Sequence, residues 1–368
     1  MKKDNTLIES RTETVIGIDL GDKQSHVCVL GAEGNCVEAG TVVTTPSGFR
    51  GRFERIDTCR IAIEAGGQSA WVDELLTEMG HEVIVANPRR LRMIYENDLK
   101  SDEVDAEQLA RVARLDPSLL YGIEHRKHST RVDLGKARSR DMLVGTRTTL
   151  INHVRGQMKS FGMKLGTRGA AYFHEWAREQ VPEELKVALE PILDLLGDVD
   201  KQIKVIDTEL ERLAAEVHPV TQVLRQVDRV GLHTALRFEL TVEDPFRIKK
   251  SQNVAAYFGL VIKRKQSGVR DPEMHITGAG DGDMRRLLVQ CAQQLLSAKG
   301  KESDLRTWGL NLASRGAKTA KKKAVIATAR KLAVLLHVLY RNLLGVAGQV
   351  YKPLKSETGH APGKVVGA

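Results

Sequence analysis

Short apolar runs rich in β-branched residues recur through the first 90 residues and predict five strands, over residues 15–19, 26–30, 37–43, 60–64 and 82–86. Helical spacing predicts helices over residues 69–79, 88–95 and 102–113. Three strands, then a strand–helix–strand unit, then helices are typical of a mixed sheet with helices packed on it. The N-terminal part is therefore predicted to be an α/β domain.

The following stretch is predicted to be helical, with an apolar seam that repeats at alternating spacings of three and four over about four heptads. The seam comprises Leu189, Ile192, Leu196, Val199, Ile203, Ile206, Leu210 and Leu213. Pro191 falls near its start and indicates a kink or a first turn. The seam needs a partner helix, for which residues 134–161 are the candidate within the chain. Two interpretations remain open, a helical hairpin within one chain and a coiled-coil arm that dimerises.

These patterns divide the chain into an α/β domain over residues 12–130, a helical arm over 131–218 and a mostly helical domain over 219–350. Residues 351–368 carry Pro, Gly and Lys without periodicity and are expected to be disordered.

Charge is distributed unevenly along the chain. Residues 1–110 hold 12 Lys or Arg and 20 Asp or Glu, a net charge of −8, whereas the remainder carries +17. An acidic first third and a strongly basic remainder favour a metal-binding domain joined to a body that binds nucleic acid. No apolar run approaches a membrane span, and the four cysteines lack paired spacing, so we expect a cytoplasmic protein that does not contact membranes.

Four carboxylates form the first candidate site. Asp19 ends the first predicted strand, Glu64 ends the fourth, and Asp102 and Asp105 lie three apart on one helix face. The first and fourth strands of such a sheet are commonly adjacent, so the four side chains can meet. Together they could hold two Mg²⁺ ions roughly 3.5–4 Å apart, with Mn²⁺ as a substitute. Each carboxylate alone could equally be an ordinary helix-end or surface charge.

The second candidate is Ser267, which lies beside a glycine within the basic run KRKQSGVR. A serine in this setting could attack a phosphate, although it could also simply bond the DNA backbone. Activation would require the metal of the acidic site, because no base lies nearby in sequence. The residues expected to contact nucleic acid are basic: Lys263, Arg264, Lys265, Arg285, Arg286, Lys321, Lys322 and Lys323.

These segments resemble the DEDD transposases of the insertion-sequence-110 family. In the N-terminal part the resemblance rests on the segments GIDLGDKQSH, IAIEAGG and KSDEVDAEQLA. In the C-terminal part the segments include VDRVGLHTA, FGLVIKRKQSG and HITGAGDGDMRRLLV. The resemblance implies a RuvC-like domain of the ribonuclease-H-like fold, whose order of elements is the one predicted above, a helical arm and a C-terminal transposase domain. It also implies that Asp19, Glu64, Asp102 and Asp105 are the DEDD tetrad and that Ser267 is the nucleophile.

The same resemblance implies the partners. They are DNA, both at the element's ends and at the target, a structured guide RNA, and further copies of the chain in a homodimer or homotetramer. The sequence departs from the family pattern at Asp228-Arg229, where the family has Pro-Gly, at Ile262 in place of Pro, and at Gly278 in place of Lys.

Three other functions are compatible with parts of the sequence. A metal-dependent nuclease or junction resolvase would use the four acids and water, without serine chemistry. An actin-like ATPase would share GIDLG but should carry a second phosphate loop and an adenosine motif, which the sequence lacks. A non-enzymatic nucleic-acid-binding protein would have no need of the carboxylates.

Overall fold

The computed structural model describes residues 14–91, 101–264, 274–316 and 319–345. The chain divides into two compact units, Met1–His125 and Arg126–Ala368. In the described part of the chain, no helix combines the length and the apolar character needed to cross a membrane.

The first unit contains a mixed five-stranded sheet in the order β3-β2-β1-β4-β5. The strands are β1 (Val15–Asp19), β2 (Gln24–Leu30), β3 (Cys36–Val43), β4 (Arg60–Glu64) and β5 (Glu82–Ala86). The strands β1, β2 and β3 form an antiparallel meander, and β4 pairs in parallel with both β1 and β5. The expected adjacency of the first and fourth strands is therefore confirmed.

Helices cover both faces of this sheet. They are α1 (Pro46–Phe53), α2 (Ser69–Glu78) and α3 (Asp102–Leu115). Ile16 and Ile18 of β1 face the apolar cluster that contains α1 and α2, whereas Val15 faces α3, as the two-residue alternation of a strand requires. The sequence did not predict α1. Of the helix predicted over 88–95, residues 88–90 form a turn, which contradicts the predicted start at Pro88, and residues 92–95 lie outside the described residues.

The second unit is mostly helical in its described part, as predicted, and its β structure there is one isolated bridge between Ile262 and Ile276. Its helices are α4 (His128–Ser160), α5 (Phe173–Arg178), α6 (Glu183–Glu216), α7 (Val220–Leu224), α8 (Leu232–Val242), α9 (Val254–Tyr257), α10 (Gly282–Leu295), α11 (Asp304–Ala313) and α12 (Ala320–Gly345). Pro191 lies inside α6, which continues through it, so this proline does not mark a first turn.

The two long helices, α4 and α6, pack against each other as an antiparallel pair. Three ion pairs fix their register: Lys136 with Glu209 at 2.9 Å, Arg140 with Asp207 at 2.8 Å and Arg147 with Asp200 at 2.9 Å. All eight seam residues of α6 are buried or partly buried against α4, α5 and α8. The seam is thus covered within the chain, as in the hairpin interpretation.

The base of this hairpin is held by a buried polar network around His218. Its Nε2 lies 3.1 Å from an oxygen of Asp133 on α4, and its Nδ1 lies 3.5 Å from an oxygen of Glu239 on α8. Glu239 also accepts a 2.8 Å hydrogen bond from the Thr221 hydroxyl, and Lys136 lies 3.0 Å from Asp133. Hydrogen bonding to Glu239 and Asp133 raises the pKa of His218 above its ordinary value, although burial opposes this.

This network predicts pH-dependent stability for the H218Q variant. Because the folded-state pKa is raised, the imidazolium stabilises the fold fully below about pH 6.5, and that contribution disappears as pH rises through the folded pKa. The variant should lose about 1.5–3 kcal/mol of unfolding free energy at pH 6 and much less at pH 9. Urea denaturation at both pH values checks this, and an equal loss at both would contradict it.

The turn before α8 predicts a second stability effect. Arg229 has a φ of +65°, a left-handed conformation that disfavours side chains with a Cβ. Arg229 stands at the position where the family pattern described above has glycine. The R229G variant should gain roughly 0.5–1 kcal/mol, since relief of about 1–2 kcal/mol of strain outweighs the entropy cost of glycine. Thermal unfolding of R229A, which keeps a Cβ, serves as the control and should show no such gain.

Candidate functional site

Two of the four predicted carboxylates lie at neighbouring strand ends and face the same side of the sheet. Ile18 of β1 is aligned with Ile63 of β4 in the parallel register, so Asp19 and Glu64 follow directly on adjacent strands. Both residues lie two positions from a residue that faces α3, Gly17 on β1 and Ala62 on β4. The two carboxylates therefore face the layer formed by α3.

The other two carboxylates belong to the first turn of α3. Ser101 caps this helix, its hydroxyl accepting a hydrogen bond from the Val104 N–H at 3.3 Å. The helix lies almost directly on β1, because a Cβ placed on Gly17 would be 2.0 Å from the carbonyl oxygen of Ala106 and 2.6 Å from the amide nitrogen of Ala110. Only glycine permits this approach, which brings Asp102 and Asp105 close to the end of β1.

The pKa of Asp19 shows that the carboxylates share one electrostatic environment. It is raised to about 6, first by burial and then by the negative charges of Asp102, Asp105 and Glu64. The charge on His26, which pairs with Asp19 across β1 and β2, acts in the opposite direction. Since charge effects of this kind weaken rapidly with distance, the four acids form one acidic cluster.

The donor set of this cluster fits a hard divalent cation. Asp105 is 8% exposed, and its buried Oδ1 has no hydrogen-bond partner among the described residues. Carboxylate oxygens are the ligands that Mg²⁺ takes in proteins, and a cation would relieve their mutual repulsion. In the side-chain positions described, however, no three His, Cys, Asp or Glu residues already surround a common point as a closed metal centre.

His26 is a member of this site that the sequence did not single out. Its Nε2 lies 3.8 Å from an oxygen of Asp102, and its own Nδ1 is buried without a hydrogen-bond partner in the described part of the chain. The alternation along β2 places His26 on the same face as Cys28, which packs against α3. Its position in the run GDKQSH was the available signal.

The predicted serine nucleophile lies outside the described residues, as does Lys265, because both belong to segment 265–273. The chain on either side of that segment is described. Ile262 and Ile276 form an antiparallel bridge, and the Lys263 N–H donates to the His275 carbonyl at 2.9 Å. The segment that carries Ser267 thus begins and ends at adjacent points in the second unit, whereas the four carboxylates belong to the first unit.

The basic residues predicted to bind nucleic acid have different surroundings. Lys263 and Arg264 are exposed beside the bridge, and Lys321, Lys322 and Lys323 are exposed in the first turn of α12. Arg286 is also exposed at 55%. Arg285, by contrast, donates to the Phe258 carbonyl at 3.0 Å, so its guanidinium is engaged within the fold.

An ion cluster around the buried Arg237 supports the start of α10, and the sequence did not predict it. Arg237 of α8 is fully buried, with guanidinium nitrogens 3.7 Å from Asp141 and 3.6 Å from Asp283. His233 lies 2.7 Å from Asp141, and Arg286 lies 3.4 Å from Asp283. A lone arginine within an apolar helix pattern gives no local sign of such partners.

Comparison with known proteins was consistent across both units. A family model described as a transposase, of the DEDD type of IS110, matches residues 16–163, and a second, described as the transposase IS116/IS110/IS902 family, matches residues 221–306. The chain is 28% identical, over 76% of its length and 83% of the relative's, to the transposase for insertion sequence element IS1328 of Yersinia enterocolitica. It is 26% identical, over 88% and 89%, to the transposase for insertion sequence element IS1111A of Coxiella burnetii.

The raised pKa of Asp19 predicts the behaviour of the D19N variant without divalent cations. The protonated carboxyl stabilises the fold fully below about pH 4, and this is lost as pH rises through about 6. Above pH 6 the variant should therefore be more stable than the native protein by about 1–2 kcal/mol, which allows for solvent screening of a shift worth ~3 kcal/mol. Below pH 4 the difference should shrink.

Thermal melts from pH 4 to pH 8, with and without Mg²⁺, check this prediction. Mg²⁺ should raise the melting temperature of the native protein above pH 6 but not that of D19N. D22N, which removes an exposed acid three residues away, is the matched control and should behave like the native protein. Equal stabilisation of native protein and D19N by Mg²⁺ would argue against a metal site here.

Proposed function

Because the chain belongs to the IS116/IS110/IS902 family of transposases, we propose that it cuts and rejoins DNA strands through Ser267, assisted by divalent metal held by Asp19, Glu64, Asp102 and Asp105. The observation that carries this proposal is the acidic cluster at the end of β1, where three neighbouring charges and burial raise the pKa of Asp19 to about 6. Such mutual repulsion is costly unless the site serves to gather cations.

The cleavage step is a transesterification. The Ser267 oxygen attacks the phosphorus of a DNA phosphodiester, a new serine O–P bond forms, and the P–O bond to one sugar breaks. The serine proton leaves to solvent, and the released sugar oxygen takes up a proton. Attack of a second strand's hydroxyl on the phosphoserine reverses these changes and joins the strands, so no external energy source is needed.

Bound Mg²⁺, or Mn²⁺ in its place, would stabilise the charge that develops on the phosphate oxygens during both steps. The carboxylates would hold it through oxygen ligands. Asp105 would use its buried Oδ1, which has no hydrogen-bond partner in the described chain, and Asp19 would bind in its ionised form. His26, 3.8 Å from Asp102, would orient that carboxylate. The exposed cations Lys263 and Arg264 would bind the DNA phosphates next to the serine segment.

The assembly is part of the proposal. The serine belongs to the second unit and the acids to the first, so the complete site can be formed by residues of two subunits within a homodimer or homotetramer. A structured guide RNA would bind the basic part of the chain, residues 111–368, which carries a net charge of +17.

An adduct-trapping experiment tests the serine and the metal together. Native protein with a nicked DNA substrate and Mg²⁺ should give a DNA–protein adduct on a denaturing gel. S267A and D105N should each lose at least about a thousandfold of it, since a nucleophile and a metal ligand act as one unit. S139A and E103Q, which remove an exposed serine of α4 and the exposed acid next to Asp102 in sequence, are the matched controls and should retain it.

Mixing the two inactive variants tests the shared site. If one subunit supplies the serine and another the acids, S267A and D105N together should restore part of the adduct. DNA cleavage that persists in S267A without any adduct would instead identify a metal-dependent nuclease that uses water.

A further inference from the structure

The tip of the helical hairpin, residues 151–182, packs with the adjoining part of α6 around one apolar core. The tip comprises the end of α4, the 3-10 turn Ala170–Tyr172, the helix α5 and the chain that leads into α6. It contributes six buried residues to this core, Ile151, Val154, Met158, Phe173, Ala177 and Val181, and α6 contributes Leu185, Leu189, Leu193 and Leu196. Most of the tip lies between the two segments that match the transposase families, residues 16–163 and 221–306.

Two aromatic side chains of this tip face solvent although the core is complete without them. Phe161, which follows α4, is 54% exposed, and Tyr172, which ends the 3-10 turn, is 70% exposed. Two other exposed aromatic residues are covered by cations, Tyr121 by Arg90 at 4.7 Å and Phe246 by Arg341 at 5.3 Å. Within the described residues, neither the Phe161 ring nor the Tyr172 ring is covered by a cation or another ring.

The charges around these rings are mainly positive. Residues 151–182 hold five Lys or Arg and two Glu, a net charge of +3. Lys159, Lys164 and Arg168 are exposed, and none of them has a salt bridge to any described carboxylate. A second copy of this tip would be repelled by that charge, whereas a polyanion would be attracted.

Two guanidinium groups already lie on aromatic rings here, which extends the stacking surface. Arg155 lies 5.2 Å from the Phe173 ring centre, and Arg168 lies 5.8 Å from that of Trp176. Flat aromatic and guanidinium groups next to free cations are the combination that binds unpaired nucleotides, because every base has a π-face and each phosphate carries a charge. A duplex, whose bases are stacked on each other, cannot use the rings in this way.

We propose that the hairpin tip binds unpaired nucleotides, with Phe161 and Tyr172 stacking on bases and Lys159, Lys164 and Arg168 contacting phosphates. The unpaired nucleotides can come from a single-stranded loop of RNA or from a displaced DNA strand, which share this chemistry. This binding needs neither the acidic cluster nor Ser267, so it stands independently of the strand-transfer chemistry.

The first test measures binding of the full-length protein to fluorescent oligo-U, oligo-dT and a DNA duplex of equal length, in EDTA. Stacking at one base is typically worth about 5- to 150-fold in affinity, so F161A/Y172A should weaken single-strand binding by at least about fivefold and leave duplex binding unchanged. Y121A/F246A removes the same kinds of ring from positions covered by arginine and should alter neither. F161W/Y172W should retain single-strand affinity.

The contrast between the oligonucleotides identifies the source. Loss with oligo-U alone assigns the tip to RNA, loss with oligo-dT alone assigns it to displaced DNA, and loss with both assigns it to either strand. Unchanged single-strand binding by F161A/Y172A, or an equal loss on the duplex, would overturn the proposal. Because both rings are exposed, an unchanged melting temperature of the variant should accompany the result.

The second test isolates the charges. Replacing Lys159, Lys164 and Arg168 with Gln should reduce the slope of log affinity against log salt for single strands by about 2, at roughly 0.7 for each phosphate that is no longer neutralised. The Trp176 fluorescence, which reports on the ring beside Arg168, should respond to oligo-U or oligo-dT in the native protein and not in F161A/Y172A. An unchanged salt slope would remove the phosphate interactions from the proposal.

Discussion

The first unit depends on the close approach of α3 to β1 at Gly17. Side chains normally separate a helix from the sheet on which it packs, but here the backbone of Ala106 and Ala110 meets a residue that has no side chain. This contact determines how near the first turn of α3 lies to the end of β1. It therefore determines whether the acids of the helix and those of the sheet act as one group or as two.

The raised pKa of Asp19 is the energetic consequence of that packing. Four like charges with partial burial destabilise one another, and only the weak opposing charge of His26 offsets this within the described part of the unit. The destabilisation is localised at the open end of the sheet, while the apolar clusters on both faces maintain the fold. A site of this kind is held by the rigid elements around it and not by its own contacts.

Much of the first unit could be predicted from sequence, since buried strands of β-branched residues carry a strong local signal. Three predicted strands match the observed bounds, and the spacing of Asp102 and Asp105 was readable because i and i+3 share a helix face. The helix α1 was missed because it begins with Pro46, Ser47 and Gly48, residues that usually mark turns. The roles of Gly17 and His26 depend on which element packs against them. The sequence around these two residues does not indicate that element.

In the second unit, too, the contacts of the buried polar residues could not be predicted from the sequence. The apolar seam of α6 predicted a partner helix, but the buried Arg237 with its two carboxylates, and His218 between Asp133 and Glu239, come together only after folding.

The antiparallel pairing of α4 and α6 also determines how far the tip of the hairpin lies from its base. A helix of 33 residues extends for about 50 Å at ~1.5 Å per residue, and its ion pairs join residues at matching heights on the two helices. If the same whole number of heptads were removed from both helices, the remaining ion pairs would still face each other. The hairpin would become shorter by about 10 Å per heptad. Because the core around Phe173 involves only the distal parts of the two helices, the helices between it and His218 can change in length while that core is kept.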